Sequence, residues 1–310
     1  MPHTLDAPLR LPPALRKRLG RAHHVDPVRA TLRAQGLSTV CEEARCPNLG
    51  ECFTASTATF MILGDRCTRR CRFCNVRTAK PGPPDADEPA RLADAAAHLG
   101  LRHVVITSVD RDDLADRGAG QFAACIAAVR ARLPHATVEV LTPDFGGDAR
   151  LVDVVLAAGP DVFNHNLETV ARLYRDLRPQ SSWRHTNDVL GHASRVGHPA
   201  VKSGIMVGLG ETDDEVLATL SLMRELGVHI ATIGQYLRPT RAHWPVARYV
   251  EDESYARFTA HGRALGLTHV AAAPFVRSSY HAHDAHLAHR ASTMASGALA
   301  ASSPSLRVLP

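Results

Sequence analysis

The sequence predicts an α/β protein built on a parallel sheet. After position 58, short β-branched runs alternate with longer helical patterns, six times over. Two of those helical patterns stop at glycine, as helices commonly do. A chain of 310 residues with 45% apolar and 22% charged side chains can bury a full core. Strictly alternating strands and helices imply parallel strands joined by right-handed crossovers. Six such units either close most of a barrel or form an open doubly wound sheet.

The strand candidates lie at 59–64, 103–107, 137–142, 161–165, 201–207 and 229–235. Helix candidates lie at 88–99, 120–133, 149–158, 168–176, 182–196 and 213–226. The third helix stops at Gly159-Pro160 and the last at Gly227. Polar residues gather just past each strand: Asp65-Arg66-Cys67, Ser108-Val109-Asp110, Pro143-Asp144, Asn164-His165-Asn166, Gly208-Leu209-Gly210-Glu211 and Tyr236-Leu237-Arg238. In a barrel these loops share one face, where barrel active sites lie. Loops are polar in any protein, so it is the cysteines among them that point to a site.

The N-terminal sixty and C-terminal forty residues stand outside this rhythm. Residues 1–40 are rich in Arg and Pro and are expected to wrap the core as a helix and an extended arm. Residues 281–310 are rich in Ala, Ser and His and are expected to fray from about 291. His281, His283, His286 and His289 suit adventitious rather than functional metal binding. No apolar run reaches the ~20 residues of a membrane helix. The N-terminus MPHTLDAPLRLPPALRKRLG carries prolines and charges where a signal peptide has an apolar core. The expected location is the cytoplasm, with no membrane partner. The net charge of +5 and pI near 9.0 come from basic residues spread along the chain, with no basic block interleaved with aromatics. That pattern fits an acidic protein partner or an anionic substrate and does not call for nucleic acid.

Six of the seven cysteines fall between positions 41 and 74. Cys41, Cys46 and Cys52 are spaced C-x4-C-x5-C, and Cys67, Cys71 and Cys74 are spaced C-x3-C-x2-C. Disulfides suit a reducing compartment poorly. Structural zinc takes four ligands, commonly from paired C-x2-C knuckles, and neither triplet supplies that alone. Two iron–sulfur clusters with three thiolates each fit better, while zinc and plain structural thiols stay open on spacing alone. Three thiolates per cluster leave one iron open to a substrate, a cofactor or a weaker ligand. Cys125, in the apolar stretch FAACIAAV, is expected in the core.

Cys67 to Cys74 read C-x3-C-x-aromatic-C, which resembles the signature of radical S-adenosylmethionine enzymes. The stretches TVCEEARCPNLGEC (39–52), TATFMILGDRCTRRCRFCNV (57–76), ITSVDRDDL (106–114), VFNHNLETV (162–170), SGIMVGLGET (203–212), TIGQYLRPT (232–240) and VRSSYHA (276–282) narrow it. In this order, from about 39 to 282, they resemble the lipoyl synthase family.

The resemblance implies an α/β, partial (βα)6 TIM-type barrel over 58–272. It adds an N-terminal extension (1–57) and a C-terminal extension (273–310) that hold an auxiliary iron–sulfur cluster. Cys67, Cys71 and Cys74 are implied to hold a [4Fe–4S] cluster whose open iron chelates S-adenosyl-L-methionine. One electron then cleaves the sulfonium to methionine and a 5′-deoxyadenosyl radical, a species that burial protects. Phe73 is expected near the adenine, and Asn164, Glu168 and Glu211 are candidates for cofactor contacts. Cys41, Cys46 and Cys52 are implied to hold the second [4Fe–4S] cluster, with Ser279 of the Arg277-Ser278-Ser279-Tyr280 motif as fourth ligand and Ser278 as the other choice. Serine oxygen is harder than thiolate and suits iron less well, which fits a cluster dismantled as a sulfur source.

The implied reaction inserts two sulfur atoms, at C6 and C8, into an octanoyl chain on a lysine of a lipoyl carrier protein. It consumes two S-adenosylmethionine molecules. Implied partners are octanoylated carriers such as glycine cleavage H protein and 2-oxoacid dehydrogenase E2 subunits, a ferredoxin or flavodoxin reductant, and a cluster-repair carrier protein. A basic rim of Arg66, Arg69 and Arg70 is expected to steer an acidic carrier. Arg70 stands where the family commonly has glycine, Asn75 where it has alanine, and the stretch RPQSSWRHTNDVL is diverged. The competing readings are another radical sulfur-inserting enzyme with a different alkyl substrate, and a non-catalytic iron–sulfur or zinc module.

Overall fold

The strand runs of this chain are buried on both faces, as parallel strands covered by helices must be. In chain order they are β1 (Ser38–Thr39), β2 (Thr59–Ile62), β3 (Arg66–Cys67), β4 (Arg77–Thr78), β5 (His103–Ser108), β6 (Thr137–Leu141), β7 (Val162–Asn164), β8 (Ala200–Val207), β9 (Ile230–Gln235) and β10 (His269–Ala272). This computed structural model describes residues 10–16, 26–44, 46, 48–54, 59–197 and 199–301.

Eight strands form one sheet in the order β1-β2-β5-β6-β7-β8-β9-β10. β1 runs antiparallel to β2, and every other neighbouring pair is parallel. All six strand candidates are strands of this sheet. β10 adds a further parallel strand; its sequence HVAA is weak in β-branched residues, and pairing with β9 makes it one. β3 and β4 pair separately, Cys67 opposite Thr78, and close the loop that carries Cys71 and Cys74.

The helices are α1 (Pro13–Arg16), α2 (Asp26–Ala34), α3 (Val40–Glu43), α4 (Leu49–Thr54), α5 (Glu88–His98), α6 (Ala119–Arg132), α7 (Ala149–Ala157), α8 (Ala171–Leu177), α9 (Trp183–Val196), α10 (Asp213–Glu225), α11 (Asp252–Ala264) and α12 (Ala282–Ala301). Local chemistry sets their ends. Thr212 and Glu215 form a reciprocal capping box on α10. That helix is followed by Gly227 at φ 78°, where a Cβ would overlap the Ser194 hydroxyl. The core packs Leu92 of α5 and Phe122, Cys125 and Ile126 of α6 against the sheet residues Phe60, Val104 and Val138. Full burial of side chains such as Phe122 and Ile126 stabilises by about 1.5–3 kcal/mol each.

Two expectations need correction. The helix expected from 168 begins at Ala171, because Glu168 sits in the left-handed region at φ 68° and bridges to Ile205 instead. The tail expected to fray from 291 is helical through Ala301, as the second half of α12. The helix docks across the N-terminal ends of the strands: Ala285 clusters with Val162, Ala200 and Ile230. His289 bonds Thr268 at 2.9 Å, and its ring lies 4.9 Å from that of His229. The expected arm at 1–9 and 17–25 and the final residues 302–310 lie outside the described residues. Among the described residues, no helix is long and apolar enough to cross a membrane.

Candidate active site

A cavity of about 1410 Å3 opens at the C-terminal ends of the parallel strands. Thr107 and Ser108 of β5, Leu141 of β6, Met206 of β8 and Gln235 of β9 reach it from four strands. Cys67, Cys71, Phe73 and Cys74 line one part of its wall; Cys41, Cys46, Ser278 and Ser279 line another. The second triplet and two of the three cysteines of the first therefore share one chamber.

Around the second triplet, Cys67 Sγ accepts the backbone N–H groups of Arg69 at 3.4 Å and Asp110 at 3.3 Å. Burial, with Asp110 and Cys71 adding like charge, pushes the Cys67 thiol up to about 12. Burial also raises Cys74 to about 12, with Cys71 and Cys67 adding to it. Cys71 is raised by burial while the neighbouring Arg178 guanidinium opposes. Phe73 packs with Trp244 and Val246 against Val170, Leu209 and Tyr236.

The loop holding these cysteines is fastened at several points. Arg69, between Cys67 and Cys71, is buried and pairs with Asp112 at 2.7 Å, Asp144 at 2.7 Å and Asp110 at 3.3 Å. Its expected place on a steering rim is thereby corrected: three carboxylates already claim its charge. Arg66 and Arg70 are exposed, and Arg72 is exposed beside the Trp244 ring. His243 Nε2 lies 3.0 Å from the Cys74 carbonyl, and Trp244 N donates to the Arg72 carbonyl at 2.9 Å.

Glu168 lines the cavity and accepts from Asn166 Nδ2 at 3.2 Å. Burial raises its carboxyl, against Arg178 and Asn166. Arg178, also on the wall, donates to the Tyr174 hydroxyl at 2.9 Å, which meets Thr186 at 2.6 Å. Two expected contacts fall elsewhere. Asn164, the last residue of β7, is fully buried and turned to Glu139 at 3.5 Å, while Asn166 takes the wall position. Glu211 spends its carboxylate on the N–H groups of Gly208 at 2.6 Å and Leu209 at 2.8 Å, so it shapes the loop rather than the wall. Arg178 and Asn166 carry no local signal that separates them from ordinary loop residues.

At the first triplet, burial raises Cys41 to about 11, with Cys46 adding to it, and Cys52 to about 12, with Cys41 and Cys46 adding to it. Cys46 is raised by burial, with the Arg277 charge opposing. Asn48 donates to the Phe275 carbonyl at 2.6 Å, and Tyr280 donates to Glu51 at 2.8 Å. These bonds bring the RSSY segment to the cysteines. Asn75 Nδ2 donates to the Glu43 carbonyl at 2.8 Å and so ties the two cysteine loops together.

Residues 61–223 match the radical SAM superfamily. The lipoyl synthase of Methylococcus capsulatus is 54% identical over 278 residues, covering 89% of this chain and 86% of its own length. That of Nitratidesulfovibrio vulgaris (strain Hildenborough) is 51% identical over 278 residues, covering 90% and 93%. This chain belongs to the lipoyl synthase family. Lipoyl synthases are radical S-adenosylmethionine enzymes, so one [4Fe–4S] cluster and S-adenosylmethionine come with membership. The fold agrees. A methylornithine synthase aligns with a TM-score of 0.51 at 16% identity, over 83% of this chain and 85% of its own. The Streptococcus suis protein SuiB bound to S-adenosylmethionine aligns at 0.56 and 11% identity, over 73% and 53%. At such identities the likeness speaks for the fold alone. The donor set fits the cluster: buried thiols that repel one another once ionised gain most from cationic iron, and two backbone N–H groups already face Cys67 Sγ.

Proposed function

We propose that this chain inserts sulfur at C6 and C8 of a protein-bound octanoyl-lysine, consuming two S-adenosylmethionine molecules per lipoyl group. The observation that carries the proposal is the cavity lined by Cys67, Cys71 and Cys74 together with Cys41, Cys46, Ser278 and Ser279. Cys67, Cys71 and Cys74 are the residues to hold the radical-generating cluster. Cys41, Cys46, Cys52 and Ser279 are those to hold an auxiliary one. When bound, the first supplies the electron that cleaves S-adenosylmethionine and the second supplies sulfur. C6 and C8 carry no acidic proton, so hydrogen-atom abstraction rather than base chemistry is the route.

The chain's own residues bind, orient and shield. Arg69 and its three aspartates hold the Cys67–Cys74 loop to the ends of β5 and β6. Phe73, with its apolar neighbours, offers a face for the adenine. Glu168 suits an amino group and Arg178 a carboxylate, both being on the cavity wall. Glu211 acts through the Gly208–Leu209 loop. The sheet, with its polar end facing the cavity, supports a partial (βα)6 barrel over 58–272 with an added strand. The flanking 1–57 and 273–310 serve as extensions that carry the auxiliary site. The octanoylated partners fitting this chemistry are glycine cleavage H protein and 2-oxoacid dehydrogenase E2 subunits. Ferredoxin or flavodoxin serves as reductant and a repair carrier restores the auxiliary cluster, all in the cytoplasm.

The test is an anaerobic reaction of reconstituted protein with S-adenosylmethionine, reductant and an octanoyl-lysyl carrier peptide, read by mass spectrometry. A lipoyl product with two 5′-deoxyadenosines is expected. 5′-Deoxyadenosine without sulfur insertion overturns the auxiliary assignment; neither product, with both clusters intact, overturns the whole proposal.

A further inference from the structure

Past β10 the chain turns back over the end of β9, and Gly234 lies beneath the turn. Ala273 N donates to the Ile233 carbonyl at 3.1 Å, and Gln235 N donates to the Pro274 carbonyl at 3.2 Å. The turn is thus bonded on both sides of Gly234. A Cβ at Gly234 would overlap the Val276 carbonyl oxygen and come within 3.0 Å of Arg277 Nη1. The carbonyl is backbone and cannot swing aside as a side-chain tip can. Arg277 is half-buried, and its Nη1 donates to that same Val276 carbonyl at 2.6 Å. Any shift of Val276 therefore moves Arg277 and the two serines that follow it.

The opposite side of the turn is gripped by the first cysteine loop. Asn48, buried between Cys46 and Cys52 in sequence, donates to the Phe275 carbonyl at 2.6 Å. We infer that Gly234 and Asn48 are positioning residues, the two jaws of a clamp that sets Ser278 and Ser279 against Cys41, Cys46 and Cys52. Gly234 is demanded by space: a backbone carbonyl occupies the volume of its missing side chain. This inference rests on the proposal that Ser279 completes the auxiliary cluster, and it adds what holds that serine there. Asn48 matters because the cysteine loop supplies the other jaw, so each half of the auxiliary site is placed by the other.

The experiment compares Gly234→Ala, Asn48→Ala and Ser279→Ala with the wild-type full-length protein. In cluster-free protein, amide exchange over 273–280 is expected to rise at least tenfold in Gly234→Ala and Asn48→Ala, with β5 unchanged. After anaerobic reconstitution, the auxiliary Mössbauer signal of both variants is expected to move toward that of Ser279→Ala. Sulfur inserted per 5′-deoxyadenosine is expected to fall at least fivefold. Wild-type exchange and a wild-type auxiliary signal in Gly234→Ala overturn the clamp. If that variant does not fold, Asn48→Ala decides on the same two readouts. If Ser279→Ala keeps the wild-type signal, the ligand proposal fails, while the exchange data still judge the clamp.

Discussion

Arg69 and Asp144 meet at 2.7 Å with Arg69 4% exposed and Asp144 fully buried. One residue sits in the cysteine loop and the other just past β6, so their pairing fixes the loop to the sheet. Burial alone would raise the Asp144 carboxyl, but the Arg69 hydrogen bond and charge hold it well below the usual carboxylate range. Arg69→Met leaves Asp110, Asp112 and Asp144 facing one another without that cation. A loss of about 3–5 kcal/mol is expected, with iron content after reconstitution falling in parallel. Urea unfolding and iron analysis check it; unchanged values in both remove the anchoring role.

Lys202 and Glu139 form a second buried pair at 2.8 Å, fully enclosed within the sheet. Burial would raise Glu139, yet Lys202 and His103 bring it to about 2. Lys202→Met strands that carboxylate and is expected to destabilise by about 3–5 kcal/mol. The double variant Lys202→Met/Glu139→Leu is expected to recover more than half, because an apolar pair carries no desolvation penalty. A double-mutant cycle by urea denaturation measures the coupling; additive losses would count against it.

The histidines around α12 make stability depend on pH. Burial lowers His229 to about 4, with His289 and Arg224 adding to it. Burial also lowers His269, His283, His286 and His289, all on or against α12. Each group's folded pKa lies below its unfolded value near 6.5. Its contribution is therefore fully present above about pH 6.5 and is lost as pH falls toward the folded value. His229, discounted for partial exposure, supplies on the order of 1 kcal/mol. A Tm drop of a few degrees from pH 7.5 to 5.5 is expected, preceded by faster amide exchange in α12. A flat Tm over that range contradicts it.

Asn75 Nδ2 donates to the Glu43 carbonyl across the two cysteine loops. Asn75→Ala is expected to remove about 1 kcal/mol and to lower sulfur inserted per 5′-deoxyadenosine two- to fivefold. Coupled product analysis of both quantities is the check, and an unaltered ratio dismisses the tie.

Arg66, Arg70 and Arg72 remain as exposed charges near the cysteine loop. Glutamate at Arg70 and Arg72 is expected to slow association with an acidic octanoylated carrier several-fold at low salt. The difference is expected to fade at high salt, where screening removes it. Stopped-flow association across an ionic-strength series distinguishes this from a salt-independent defect.

By itself the sequence determined the order of six strands of the sheet, the helix stops at Gly159 and Gly227, and the two cysteine triplets with their spacing. These are local matters: side-chain periodicity, turn residues and ligand spacing act over a few positions. Tertiary structure decided which polar residues face the cavity. Asn164 ends β7 and turns to Glu139 while Asn166 lies beyond the strand end, a choice set by where pairing with β8 stops. It likewise buried Arg69 among aspartates from two other loops and seated the first half of α12 against the N-terminal ends of the strands through Ala285 and His289. The meeting of Asn48 with Phe275, 227 positions apart, has no local signature. It joins a segment just past β1 to one just past β10, the two outermost strands of the sheet.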